Sequence, residues 1–285
     1  DTFKGHASLR TWLYTIATNA CLDTLKKRRP RTLPAAAAPA MNPLTPIAPA
    51  PAESIWLDPY PDRWLAEAPD DPEARYSRRE SVSLAFLTVL QVLPPHQRAI
   101  LLLSTVLDWR ASEVARLLST SVSAVNSALH RARVTLAKHY HPEKHEWMQV
   151  GAADRATSDL LRRYVRAWES DDIDGLVALL KEDATMSMPP SPSWLWGREA
   201  IRAFLSATAF GSEARSQWHL STTGANAQPA FVVFRADEHH GSWRAFGIQV
   251  VTLTGSATTR LIADVTTFTV PSLVTAFGFP LELPR

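Results

Sequence analysis

Residues 120–133 read TSVSAVNSALHRAR, and the fold turns on whether this stretch packs or reads something. Val122, Val125, Leu129 and Ala132 recur at steps of three and four, which predicts the buried stripe of a helix. Ser123, Asn126, Ser127, His130 and Arg131 fall on the other side, with Arg133 beyond them. Hydroxyl and amide groups can bond base edges, and an arginine can grip guanine through two bonds. Small side chains let a helix backbone come close to a groove, and Ser121 is placed to cap the helix. Upstream lies ASEVARLL at 111–118. A short helix, a tight turn and a longer helix have helix-turn-helix proportions.

Working outward, SVSLAFLTVLQVL and PPHQRAILLLSTVL predict two further helices, so four helices fill about 60 residues, with Pro95 in a first turn. Residues 8–29 predict an amphipathic helix with Leu9, Leu13, Ile16, Ala17 and Ala20 near one face. Its end carries Lys26, Lys27, Arg28 and Arg29, which complement the negative end of the helix dipole. Nine of the 21 prolines lie between Pro30 and Pro61 with no glycine, the composition of an extended, semi-rigid linker.

Charge follows the same division. Residues 1–33 carry a net +5, residues 53–82 a net −4, and residues 84–141 a net +4. Two basic blocks around an acidic one suit two contacts with a polyanion and a linker that avoids it. Cys21 is the single cysteine, so no internal disulfide can form and a reducing cytoplasm is the expected compartment. No apolar run reaches the length of a membrane span. The chain begins at Asp1, which leads to the expectation of a fragment or a processed chain.

From Asp154 the texture changes. RATSDLLRRYVRAWESDD, IDGLVALLKED and GREAIRAFLSATA read as helices, and after Ser216 four alternating segments read as an antiparallel meander. Helices followed by a meander predict a compact α+β domain.

On these residues the chain resembles bacterial RNA polymerase sigma factors of the extracytoplasmic-function (ECF) subfamily. The resemblance is carried by FKGHASLRTWLYTIATNACLD at 3–23, LPPHQRAILLL at 93–103, DWRASEVA at 108–115 and SVSAVNSALHRAR at 121–133. With WLDPYPD at 56–62 and a C-terminal part similar to SnoaL-like domains of the nuclear-transport-factor type, it looks like the sigma-G-type group. An Asp-Gly-Gly-Gly-Lys motif of a sister group is absent from the sequence. The resemblance implies a multi-domain chain: all-α sigma domains followed by an α+β cone. Its expected parts are a partial region 2 at 1–32, a linker at 33–75, and a region 4 helix-turn-helix at 76–141. A second linker at 142–152 and the SnoaL-like domain at 153–285 complete it.

The implied roles are specific. Ser123, Asn126, Ser127, His130, Arg131 and Arg133 would contact the upstream (−35) promoter element. Phe3 and Asn19 would line a pocket for a flipped base of the −10 element, since aromatic and amide groups hold an unstacked base well. Lys26, Lys27, Arg28 and Arg29 would meet phosphates. The partners implied are promoter DNA and RNA polymerase core, with core binding expected to be weak because the family's two helices before Phe3 are not in the sequence. In the family the linker threads polymerase near the RNA path, where Asp58, Asp62, Glu67, Asp70 and Asp71 could mimic nucleic acid. Trp56 and Tyr60 look like anchors for a neighbouring domain. Asp108-Trp109-Arg110 replaces the family's Gly-Trp-Ser and so loses a serine cap.

For the C-terminal domain two readings stay open. One is regulatory, with the domain contacting the sigma domains and taking a small ligand. The other makes it a small-molecule-binding or catalytic cone tethered to a helix-turn-helix, with Trp196, Arg198, His219 and Asp264 as pocket candidates. These four show no telling catalytic spacing, so no enzyme is expected. His139, His141 and His145 with Glu143 and Glu146 could form a metal site or be exposed histidines. Their polar setting favours the latter, and no metal or cofactor is expected.

Overall fold

The computed structural model describes residues 9–27, 33–34, 39–51, 56–65, 83–107, 109–139, 155–210, 217–256 and 259–285. Of the residues singled out above, Phe3, Arg28, Arg29, Glu67, Asp70, Asp71, Asp108, His141, Glu143, His145 and Glu146 lie outside these ranges, as do the side chains of Lys26, Lys27 and His139. Two compact units form, residues 1–31 with 85–141, and residues 32–84 with 142–285.

The first unit is helical: α1 (Leu9–Lys27), α2 (Leu84–Val92, in this unit from Ala85), α3 (Pro95–Leu101), α4 (Ala111–Leu117) and α5 (Val122–His139). Pro95 opens α3, where its missing N–H costs nothing. A π-helical turn, Leu102–Val106, closes α3. Leu90, Leu93, Leu101 and Ala132 form one buried cluster, and Ile100, Leu103, Val114, Leu117, Val125 and Ala128 form another. The buried Arg98 joins α2 to α3: its guanidinium donates to Gln91 Oε1 (3.0 Å), Gln91 O (3.0 Å) and Leu93 O (3.1 Å).

Helix α1 corrects an expectation. Leu9, Leu13 and Ile16 are exposed, as are Ala17 and Ala20, although their spacing predicts a buried stripe. The helix instead turns Leu22 into the α3–α4 cluster and sets Tyr14 edge-on to Trp109, with ring centroids 5.2 Å apart. Periodicity finds an apolar face; it does not say which neighbour covers it.

The second unit contains α6 (Arg155–Glu169), α7 (Ile173–Val177), α8 (Arg198–Thr208), α9 (Leu273–Ala276) and seven strands. The strands are β1 (Leu180–Ser187), β2 (Trp194–Trp196), β3 (Trp218–Ala225), β4 (Gln228–Asp237), β5 (Ser242–Thr254), β6 (Leu261–Phe268) and β7 (Glu282–Pro284). The sheet order is β2-β1-β6-β5-β4-β3, with β7 on β5. Here too the structure departs from the pattern. IDGLVALLKED is helical only to Val177, and Leu180 onward is β1, which pairs in parallel with β6, so the sheet is mixed. A helix must end where Leu179 and Leu180 are both needed inside the cone. Tyr164 and Trp168 of α6 and Phe204 of α8 pack there against Met186, Phe231, Val233 and Val251. The opposite sheet face is covered by Val274, Phe277 and their neighbours.

The proline-rich segment joins this unit rather than running free. Trp56 is 2% exposed and its indole N–H donates to Pro190 O. Met41 N donates to Trp194 O (2.8 Å), and Ala48 exchanges bonds with Ser191 and Ser193. Further on, Tyr60 N donates to Asn226 Oδ1 and Asn226 N to Tyr60 O, both 2.9 Å. Asp62 Oδ1 accepts from Ala227 N (2.7 Å), and its carboxylate lies so close to Gly224 that a Cβ there would overlap it. A chain without glycine and rich in proline loses little entropy on docking, so a few anchors suffice to hold it.

Candidate nucleic-acid interface

Helix α5 is set by the turn before it. Thr120 N donates to Ala115 O (2.9 Å), and Ser119 takes a left-handed conformation (φ 52), at a cost of about 1 kcal/mol for a residue with a Cβ. Ser121 Oγ accepts from Ala124 N (3.1 Å), the cap its position predicts. At α4, Arg110 N donates to Glu113 Oε2 (2.9 Å), so the entrance that lacks a serine is held by the carboxylate three residues on.

The two faces of α5 then separate. Val125, Ala128 and Ala132 are buried, and Leu129 and Leu136 are partly so. Val122, expected in the core, is 44% exposed: the packed cluster begins one turn in, at Val125, and the first turn projects beyond it. Ser123, Asn126, Ser127, His130, Arg131 and Arg133 are all exposed. At 3.6 residues per turn they lie within about 160° of arc. Among the described residues neither Arg131 nor Arg133 has an acidic partner, so the face presents two open cations beside amide and hydroxyl groups. Asn19, on α1, is also exposed.

The pocket candidates of the C-terminal domain are not gathered in the cone. Trp196 is 62% exposed, Arg198 is exposed beside Glu199, and His219 sits on β3 with Nδ1 2.9 Å from Glu169 Oε1. The register places Trp196, Thr185 and Asp264 in one row. Thr185 lies between Ala184 and Met186, which point into the cone, so this row faces the other way. Asp264 accepts bonds from Thr185 and from Thr266 Oγ1 (2.8 Å). Burial pushes its carboxyl above the ordinary carboxylate range, and the two hydroxyls pull part of the way back.

An acid whose pKa is raised by folding is easiest to accommodate protonated, so its contribution is present below the unfolded value of about 3.9 and is lost as pH rises through the folded value. Asp264→Asn is therefore expected to raise the thermal midpoint of this domain at pH 7.5. The gain should vanish below about pH 4, as melting curves at the two pH values would show.

The interior itself holds a polar chain that the sequence reading passed over. Tyr164 donates to Gln249 Oε1 (2.7 Å), and Gln249 Nε2 donates to Thr267 Oγ1 (2.9 Å). Burial raises the Tyr164 pKa, so the phenol stays a donor. The signal was a glutamine at an inward position of the run FGIQVVTL. Trp168, Phe210, Trp218 and Phe246 pack in the same core, tilted or edge to face, with ring centroids 5.1–5.7 Å apart. Among the described residues no group of three metal-ligating side chains comes together, and no helix is long and apolar enough to cross a membrane.

A helix-turn-helix with an open polar face, on a chain that also carries an α+β cone, defines a DNA-binding factor with an appended domain. Comparison with known proteins narrows this. Sigma-70 region 4 matches residues 83–136, and a SnoaL-like domain matches residues 161–268. The chain is 37% identical over 292 residues to the ECF RNA polymerase sigma factor SigG of Mycobacterium tuberculosis, covering 99% of this chain and 74% of that one. It is 28% identical over 145 residues to the RNA polymerase sigma factor YlaC of Bacillus subtilis, covering 51% of this chain and 70% of that one. Its fold is similar to the crystal structure of the Mycobacterium tuberculosis ECF sigma factor SigJ, with a TM-score of 0.55 at 18% identity over 98% of this chain and 86% of that one. The chain belongs to the ECF RNA polymerase sigma factors. Sigma factors bind promoter DNA and the polymerase core, which places the chain in transcription initiation and not among enzymes.

Proposed function

We propose that α5 reads the −35 element of a promoter, with Ser123, Asn126, Ser127, His130, Arg131 and Arg133 as the contacting side chains. The observation that carries this is the separation of faces on α5. Its apolar side is consumed by α2, α3 and α4, while its other side offers six polar groups, two of them arginines with no acidic partner among the described residues. Asn19, with Phe3, holds a flipped base of the −10 element, and Lys26 to Arg29 meet phosphates. The functional parts are then region 2 at 1–32, the linker at 33–75, region 4 at 76–141, a tether at 142–152 and the SnoaL-like domain at 153–285. That domain modulates initiation in the cytoplasm, where polymerase works. It can do so by holding residues 39–51 and 56–64, since a linker docked through Trp56, Tyr60 and Asp62 is not free to lie along polymerase. Contact between the SnoaL-like and sigma domains belongs to the same reading. A small ligand taken by the SnoaL-like domain belongs to it as well.

The test uses duplexes that the full chain selects from a random pool. Arg131→Ala is expected to weaken binding to the selected duplex by about 1–3 kcal/mol and to relax the preference at one base pair. An equal loss on random duplex would make Arg131 a phosphate contact. Failure to select any sequence would sink the reading.

A further inference from the structure

Helix α6 carries a row of exposed arginines. Arg155, Arg162, Arg163 and Arg166 are all exposed. At 3.6 residues per turn and 1.5 Å per residue they occupy about 100° of arc and about 16 Å of helix. The other side of the helix is fully engaged, because Thr157, Leu160, Tyr164, Ala167 and Trp168 are buried, so the row is mounted rigidly. Arg162 pairs with Asp159. Arg155, Arg163 and Arg166 have no ion pair among the described residues.

The domain's other cations among the described residues are differently placed. Arg202 meets Asp174 and Glu199, Arg244 meets Asp237 (2.9 Å), and Lys181 meets Asp183 (2.9 Å). Arg235 and Arg285 lie over the rings of Trp218 and Trp243, and Arg260 is buried against Thr157. Residues 153–285 carry 12 Lys/Arg against 14 Asp/Glu, so a polyanion approaching at random would be repelled. The α6 row is where it would be accepted.

Fifteen residues, 140–154, separate the end of α5 from the start of α6. At most about 3.5 Å per residue, they reach on the order of 50 Å. DNA held by α5 is thus within reach of α6 and present there at high effective concentration. Duplex DNA offers about one charge per 1.7 Å, so the row can face several phosphates at once. Arginine is suited to them because its planar fork makes two bonds to one phosphate.

We propose that the α6 arginine row is a second, sequence-independent DNA contact that grips the duplex flanking the site read by α5. This rests on the reading of α5 given above. The test takes the duplex selected by the full chain and compares two lengths, one ending at the edge of the α5 footprint and one extended by two helical turns on either side. The extension is expected to tighten binding of the unaltered chain about tenfold or more at low salt. It should leave the R155A/R163A/R166A chain unmoved. The slope of log K against log salt should fall by about 2.7 in that variant, at about 0.9 per phosphate. An equal gain from extension in both chains overturns the proposal. So does a rise in DNA affinity on substitution, the result expected if the row instead holds the acidic residues 67–71 of this chain. If no duplex is selected at all, the reading of α5 fails and this one with it. Selection with equal gains sinks only the α6 contact.

Discussion

Replacing Arg98 with methionine is expected to destabilise the helical unit by about 3–5 kcal/mol. Its guanidinium is buried and bonds the Gln91 side chain and two backbone carbonyls, Gln91 O and Leu93 O, at the end of α2. Removing the donor leaves those carbonyls buried without partners, at about 1–3 kcal/mol each. Burial lowers the pKa of the arginine from its ordinary value, yet the group stays charged, and the carbonyls at a helix end favour that charge. Lysine keeps the charge but not the fork, so Arg98→Lys should recover only part of the loss. Hydrogen exchange of the α2, α3 and α5 amides checks this. Protection unchanged in Arg98→Met would show that the helices hold their angle through apolar packing alone.

Trp56→Ala is expected to cost about 3–5 kcal/mol, the range for truncating a buried tryptophan. The loss should fall first on the proline-rich segment. Amides between residues 39 and 62, among them Met41 N and Tyr60 N, should lose protection while the β4–β5 core keeps it. Trp56→Phe retains most of the buried area and gives up the bond to Pro190 O, so it should cost about 1–2 kcal/mol. If the segment stays protected in Trp56→Ala, then Tyr60 and Asp62 hold it without help. Transcription with polymerase core then measures the consequence: a freed linker changes output only if its docking on the C-terminal domain regulates initiation.

Much of the exposure pattern of α5 was legible in the sequence. The polar residues of TSVSAVNSALHRAR fall on the exposed side because serine, asparagine and arginine are costly to bury, while Val125 and Ala132 are not. Val122 was misplaced because a one-helix pattern does not show where the neighbouring helix ends. The α1 stripe failed in the same way: Leu9, Leu13 and Ile16 are apolar and in phase, yet the face that meets α3 and α4 carries Tyr14 and Leu22. Asp264 and Trp196, pocket candidates by residue type, lie in a row that faces away from the cone interior. Side-chain alternation along a strand identifies two faces without saying which is inside, and the period of IDGLVALLKED predicts helix where β1 runs, so the sequence does not show the row that ties them.

By itself the sequence determined the order of parts: a basic helix, a proline-rich segment, a helix-turn-helix and an α+β domain. It also determined the chemistry of α5's outer face, since both follow from local periodicity, composition and residue type. Tertiary structure alone decided that the linker lies on the C-terminal domain. It also decided that Arg98 faces carbonyls and that Arg155, Arg163 and Arg166 have no ion pair among the described residues. These outcomes depend on residues far apart in the chain meeting across folded surfaces, such as Trp56 with Pro190 and Asp62 with Ala227. No spacing within one segment encodes which distant carbonyl or carboxylate will be there.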